Sequence, residues 1–382
     1  MLCDSPKVPF LAQGCEPDTE RVSATFAVLG APYGVPYGPA LLHCDASNAP
    51  DKVRERSFRY GRQIGHYDFD LQGTLFGDTG ATCVDCGNLP GTLDVARNAA
   101  AVTSAVASLL ERGAIPVVLG GDDSIPALCV RAFEAYGPLN VLQFDAHLDF
   151  RDEVNGERHG YSSPIRRIRE MPFVRRIVQV GLRGSGSARP SDVEDALRSG
   201  NVLVPADVVH DEGIEAVTRH LVDDAPWFVT VDIDGLDPSI APGVVAPMPG
   251  GLTFHQTRGV LRHLCANTRL AGIDVVEYHP ALDVREMTAL TIRAAADQRD
   301  RHHRAPHRAV TISCGETARA SPVATPVSST DSGFESIFTH PVRGPRTTGH
   351  ASPRSLPTVD AFDRLFYTRL NFITKRMISC AT

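Results

Sequence analysis

Six short runs, residues 24–29, 116–119, 140–144, 176–180, 227–231 and 271–277, are rich in β-formers and mostly apolar on both faces. A strand that must be buried on both sides belongs inside a parallel sheet covered by helices. Helical candidates lie between the runs, at 92–112, 125–136, 215–222, 255–265 and 287–296. The first ends at Gly113, which suits a C-cap, and the second at Gly137. Strand, helix, strand in repetition predicts an α/β fold with right-handed crossovers. In such sheets ligand sites gather beyond the carboxyl ends of the strands.

Two of the runs end in acid. Asp145-Ala-His147-Leu-Asp149 follows one, and Asp232-Ile-Asp234-Gly-Leu-Asp237-Pro238 closes another. On an extended chain residues two apart face one side, so each cluster is expected to aim its side chains at one point. That much like charge needs a cation to neutralise it. Carboxylate with imidazole suits a divalent ion of the manganese type, and two clusters suggest two ions. Asp237, just before Pro238, reads as a turn cap rather than a ligand. A third strand run leads into Gly120-Gly121-Asp122-Asp123-Ser124. Paired glycines let the backbone turn sharply there. No phosphate-loop pattern is present, and Asp123 stands ready to add a carboxylate from a further strand end.

Composition narrows the function classes. The chain has 382 residues, 42% of them hydrophobic, and a net charge of −7. It lacks the basic balance of a nucleic-acid binder, and no run of about 18 apolar residues could span a bilayer. The N-terminus has no long apolar stretch to serve as a signal peptide. Nine scattered cysteines read as reduced thiols of a cytoplasmic protein. The lone Cys83-x-x-Cys86 reads as a loop with two thiols rather than a metal or redox motif. Past residue 297 the character changes. Residues 297–382 carry 12 Lys+Arg against 7 Asp+Glu, and 318–357 are rich in Ser, Thr, Pro and Gly. Disorder is expected there, with one amphipathic helix as an option over 361–377. The expected domains are an N-terminal extension (1–22), a catalytic domain (23–296) and a low-complexity tail (297–382).

Gly-Gly-Asp-Asp-Ser, Asp-Ala-His-Leu-Asp and Asp-Ile-Asp-Gly-Leu-Asp-Pro-Ser-Ile-Ala-Pro-Gly resemble, in order, the motifs of the ureohydrolases, the family of arginase and agmatinase. Met248-Pro-Gly-Gly-Leu252 and Gly272-Ile-Asp-Val-Val-Glu277-Tyr-His-Pro280 fit as well. The resemblance spans roughly residues 24–296. It implies a three-layer α/β/α sandwich with a mostly parallel sheet. It implies two Mn²⁺ per chain, with Ni²⁺ as an alternative, and hydrolysis of a small guanidino substrate to urea and an amine. It also implies a trimer or hexamer. By this resemblance one metal site uses Asp123, Asp145, Asp149 and Asp232. The other uses His147, Asp145, Asp232 and Asp234, so Asp145 and Asp232 bridge. His159 matches the family's proton-shuttling loop histidine and Glu277 the carboxylate that meets the guanidinium. His279 beside it reads as structural. The chemistry agrees: guanidinium is a poor electrophile, and two ions sharing a water lower its pKa towards neutral.

The departures from the family pattern matter. Asp123 stands where the first motif usually has histidine, which makes one site all-oxygen and favours a hard ion. Gly243-Val-Val-Ala-Pro247 replaces the usual Gly-Thr-Gly-Thr-Pro. Residues 150–159 lack the Ser/Thr/Asn-rich loop with which arginases hold an α-amino acid, which favours an agmatinase-type reading. Arg166, Arg167 and Arg183 are candidates to meet a substrate carboxylate, or to form subunit contacts. The competing reading is a weakened or inactive homologue with a regulatory role, supported by Asp123. A histone-deacetylase-like hydrolase, which shares the general fold, would need a His-His pair that the motifs lack.

Overall fold

A computed structural model describes residues 1–35, 37, 48–77 and 79–296; the expected tail and its optional helix lie outside the described residues. Nine strands form one sheet: β1 (Gly14–Cys15), β2 (Phe26–Ala31), β3 (Cys83–Asn88), β4 (Ile115–Gly120), β5 (Leu139–Phe144), β6 (Val174–Leu182), β7 (Val202–Pro205), β8 (Trp227–Asp232) and β9 (Leu270–Val276). Their order is β1-β3-β2-β4-β9-β8-β5-β6-β7, and every pairing is parallel. The helices are α1 (Ala49–Gly61), α2 (Val95–Glu111), α3 (Ile125–Arg131), α4 (Pro164–Arg169), α5 (Pro190–Arg198), α6 (Ala206–Glu212), α7 (Glu215–Thr218), α8 (Phe254–Asn267) and α9 (Met287–Ala296). None of them is long and apolar enough to cross a membrane.

Successive side chains of each strand go to opposite faces and so feed two cores. One core packs Leu142, Phe144, Val229 and Val231 against Val53 of α1, Val260 and Leu264 of α8, and Ile292 of α9. The other packs Val141, Ile177 and Phe228 against Val102 and Val106 of α2, Cys129 of α3 and Ile165 of α4. This is a three-layer α/β/α sandwich, as the sequence resemblance implies. Each fully buried Val, Leu or Phe contributes about 1.5–3 kcal/mol, so the central strands hold the sheet together.

All six predicted strands are present, and three more occupy or approach the edges. Cys83-x-x-Cys86 reads from sequence as a loop, but residues 83–88 form β3, between β1 and β2. The polar Cys-Val-Asp-Cys-Gly-Asn composition hides this strand because its buried charge is paired from elsewhere. Asp85 accepts Arg54 Nε at 2.8 Å and Nη2 at 3.0 Å, and the Phe10 backbone N–H at 2.7 Å. Burial pushes the Cys86 thiol well up, opposite to the behaviour of a reactive thiolate. Residues 1–22 are tied to this edge through β1 and through paired backbone bonds between Asp4 and Asn88. The helix expected at 125–136 stops at Arg131 and resumes as a separate turn at Glu134–Tyr136.

Candidate metal centre and active site

The strand order explains the site. β4, β9, β8 and β5 are adjacent, and their carboxyl ends lie side by side. Phe144 pairs with Val231, so Asp145 lies next to Asp232; Asp232 in turn pairs with Val276, the residue before Glu277. Gly120 ends β4 and the chain turns into Asp122 and Asp123. Gly121 permits that turn to pass under the Tyr33 carbonyl, where an added Cβ would lie 2.2 Å from the oxygen.

A cavity of about 310 Å³ opens here, lined by Asp123, His147, Asp149, Asp232, Asp234 and Glu277, among others. Ligand-type atoms of Asp145, His147 and Asp234 lie within 4.8 Å of one another, as do those of Asp123, Asp145 and Asp149. His147 Nδ1 is 3.1 Å from Asp234 Oδ2 and 3.5 Å from Asp145 Oδ1. The sequence-predicted metal residues are therefore gathered in one place.

They converge by a different route from the pleated one expected. β5 ends at Phe144, before the first cluster, and β8 ends at Asp232. Each cluster is folded by side-chain turns. Asp145 Oδ1 accepts the His147 N–H at 2.5 Å, Asp232 Oδ1 accepts the Asp234 N–H at 2.9 Å, and Asp122 Oδ1 accepts the Ser124 N–H at 2.9 Å. Asp residues favour such local bonds, and the chain curls rather than extends. Asp149 and Glu277 have left-handed φ values of 43° and 61°. Such strain costs on the order of 1–3 kcal/mol per residue and gathers at functional sites.

The electrostatics call for a cation. Burial raises Asp123, Asp145 and Asp232 well above the usual carboxylate range, and neighbouring carboxylates add to it. Burial likewise raises Asp122 and Asp149 to about 6. His147 is raised to about 9, chiefly by its hydrogen bond with Asp234. Both oxygens of Asp123 are buried without a hydrogen-bond partner. Unsatisfied buried carboxylate oxygens facing more carboxylates fit a divalent ion, and this all-oxygen side fits a hard one.

Residues that sequence reading passed over complete the site. Asp145 Oδ2 accepts Gln143 Nε2 at 2.6 Å; Gln143 Oε1 accepts Gln179 Nε2 at 2.7 Å; Gln179 Oε1 accepts Asn201 Nδ2 at 3.0 Å. These three amides are buried on β5, on β6 and just before β7, and they fix the carboxylate from behind. A glutamine in an otherwise apolar strand run is the signal that could have found them. Asp237 accepts the N–H groups of Ser239, Gly250 and Gly251, the capping role its place before Pro238 predicts. Tyr161, Ser162 and His279 also line the cavity.

The structure places His159 and the three candidate arginines away from this cavity. His159 does not line the cavity. It is exposed and lines a separate hollow with Arg131, Arg158 and Glu170. The chain turns at Gly160, packed on the Tyr37 ring, and presents Tyr161 and Ser162 inward instead. Nor do the three arginines face the cavity. Arg183 donates to the carbonyls of Gly181, Asp234, Gly235, Leu236 and Met248 at 2.6–3.2 Å. Arg166 pairs with Asp195 and Arg167 with Asp152 and Glu170.

A parallel α/β/α sandwich whose four central strands deliver buried carboxylates and an imidazole to one cavity is the architecture of a carboxylate-rich metal centre. The sequence matches the arginase family model over residues 24–298. The chain belongs to the arginase family. Mitochondrial agmatinase of Gallus gallus is 33% identical over 250 residues, covering 63% of this chain and 71% of the relative. Proclavaminate amidinohydrolase of Streptomyces clavuligerus is 31% identical over 277 residues, covering 69% and 83%. The solved structure of the Streptomyces clavuligerus enzyme superposes with a TM-score of 0.65 at 28% identity, covering 76% of this chain and 94% of that one.

Proposed function

We propose that this protein is an amidinohydrolase that cleaves a small guanidino compound to urea and an amine, using two Mn²⁺-type ions. In this reading Asp123, Asp145, Asp149 and Asp232 hold one ion. His147, Asp145, Asp232 and Asp234 hold the other, with Asp145 and Asp232 shared. Bound there, the ions would lower the pKa of a shared water towards neutrality. The observation that carries the reading is the Asp123 carboxylate, buried with both oxygens unpartnered and facing other acidic groups. Related proteins named agmatinase, proclavaminate amidinohydrolase and guanidinobutyrase support the reaction class.

Glu277 is the anchor for the guanidinium. Its Oε1 accepts the Asp123 N–H at 2.9 Å, and the residue lines the cavity. A carboxylate so held pairs a planar cation by charge-assisted hydrogen bonds. Among the described cavity residues there is no lysine or arginine, and Val244, Val245 and Ala246 form an apolar wall. That supports an agmatine-like substrate, with an aliphatic chain and no carboxylate, over a guanidino acid. The test is urea release from agmatine, guanidinobutyrate, guanidinopropionate and arginine, with Mn²⁺ and Ni²⁺ supplied in turn. Agmatine should be preferred; fewer than two ions per chain and no urea from any compound would leave the inactive-homologue reading standing.

A further inference from the structure

The Glu277 carboxylate is met by the protein at both oxygens. Oε1 accepts the Asp123 N–H at 2.9 Å, and Oε2 lies 3.4 Å from His279 Nε2. The backbone of both residues is fixed. The Glu277 N–H is on the Gly121 carbonyl at 2.9 Å, and the His279 N–H is on the Gly243 carbonyl at 2.8 Å. Glu277 has a left-handed φ of 61°, so the chain turns there, and residues 277 and 279 both line the cavity. His279 is 6% exposed, and its Nδ1 is buried with no hydrogen-bond partner. A buried N–H left unpaired is rarer than a bare acceptor. The ring hydrogen therefore belongs on Nε2, where it meets Glu277 Oε2 in a long hydrogen bond.

We propose that His279 is a positioning residue for the guanidinium anchor. An ionised carboxylate has two acceptor sites on each oxygen. The Asp123 N–H takes one on Oε1, and the imidazole N–H takes one on Oε2. One site on each oxygen is left for the cavity. That pair is the two-pronged acceptor that a planar guanidinium matches. With a single donor on Oε1 the carboxyl group would swing about its terminal torsion, which is broad and roughly two-fold. The second donor, on Oε2, stops that rotation. The imidazole thus sets the plane in which the cation lies without touching the cation itself.

This inference rests on the proposed amidinohydrolase reading, and the test keeps the two apart. The full chain loaded with Mn²⁺ is assayed as wild type, His279→Gln, His279→Asn and His279→Ala, with bound metal measured on each. Agmatine, guanidinobutyrate and methylguanidine share the guanidinium and differ in the tail. Each is measured as a substrate, or as a competitive inhibitor where it is not turned over. A glutamine amide reaches the place of Nε2, and an asparagine amide only that of Nδ1. His279→Gln should stay within about threefold of wild type in KM or Ki, whereas His279→Asn and His279→Ala should raise it roughly tenfold or more, the loss of a hydrogen bond to a charged group. The rise should be the same for all three compounds, because His279 orients the anchor of the group they share. kcat should change little, since the anchor holds that group alike before and at the transition state. Bound metal should match wild type. A role in packing alone would lower the amount of active enzyme, and so kcat, with KM intact. That result, a loss of metal, a rise that depends on the tail, or rescue by asparagine instead of glutamine overturns the assignment of His279. A wild-type chain that releases no urea from any guanidine overturns the functional reading, and this inference with it.

Discussion

Glu277 Oε1 accepts the backbone N–H of Asp123 at 2.9 Å, joining two residues 154 positions apart. The contact exists because β4 and β9 are neighbours in the sheet. It sets the proposed guanidinium anchor directly against the proposed metal side of the cavity.

Asp145→Ala and Asp232→Ala should each remove both ions and reduce urea release below detection, since the proposed ligand set shares each carboxylate between the two ions. In the ion-free fold, relief of repulsion among the buried carboxylates is opposed by the donors each variant strands, Gln143 Nε2 and the His147 N–H or the Asp234 N–H, so the loss of metal-induced stabilisation is the readout. Metal analysis and chelator-treated melting curves check both parts. A variant that kept two ions would refute the bridging assignment.

Metal stabilisation should depend on pH. Asp122 and Asp149 sit at about 6 in the fold against 3.8 for an ordinary aspartate. The ion-free fold therefore holds more protons than the unfolded chain in that window, and its stability falls as pH rises through it. The raised pKa of His147 acts the same way at higher pH: its stabilisation is complete below 6.5 and lost as pH rises through about 9. A divalent ion displaces the protons on Asp149 and His147, which belong to the proposed ligand set. The rise in Tm on adding Mn²⁺ should be large at pH 8 and shrink as pH falls below about 6, with roughly 2.7 kcal/mol per site at a hundredfold excess over Kd.

Gln143→Leu should weaken the site without entering it. Asp145 Oδ2 loses its donor and Gln179 loses an acceptor. A buried group left unpaired costs about 1–3 kcal/mol. Removing a hydrogen-bond partner behind a ligand typically costs about 10–100-fold in metal affinity. Denaturant melts and metal titration should register both effects; an unchanged Kd for metal would show that the amide relay does not support Asp145.

Arg183→Met should also act through the metal residues. The guanidinium ties the turn at 234–236 to the carbonyls of Gly181 and Met248. Without it the Asp234 turn is free to shift, and metal affinity should fall on the order of 10–100-fold. The preference among guanidino compounds should not change, since the side chain lies outside the cavity. A change in substrate preference with metal affinity intact would reverse this assignment.

Asp123→His should keep or raise activity. It replaces a carboxylate by a neutral ligand and lowers the negative charge around the ions, which strengthens them as Lewis acids. Urea release and the Mn²⁺ to Ni²⁺ preference measure it. A dead variant with both ions in place would show a site reshaped around aspartate.

Six of the seven interior strands could be read from the chain because burial on both faces leaves runs that are mostly apolar. β1, β3 and β7 were hidden: the first and last are two and four residues long, and β3 buries Asp85 only because Arg54 reaches it from α1. The proposed metal residues could be named because like charge concentrated beside a strand end costs free energy that a bound cation would offset. Their route together could not, since curled turns and pleated strands place Asp at the same spacing.

The histidines divide the two kinds of knowledge most sharply. Sequence alone determined the α/β class and the acidic motifs, which follow from local composition and order, while Glu277 was named through the family resemblance. Only the tertiary structure decided that His279 faces the cavity and His159 does not. A side chain's neighbours depend on how the loop turns at Gly160 and on which strands lie side by side, and those relations join residues far apart in the chain.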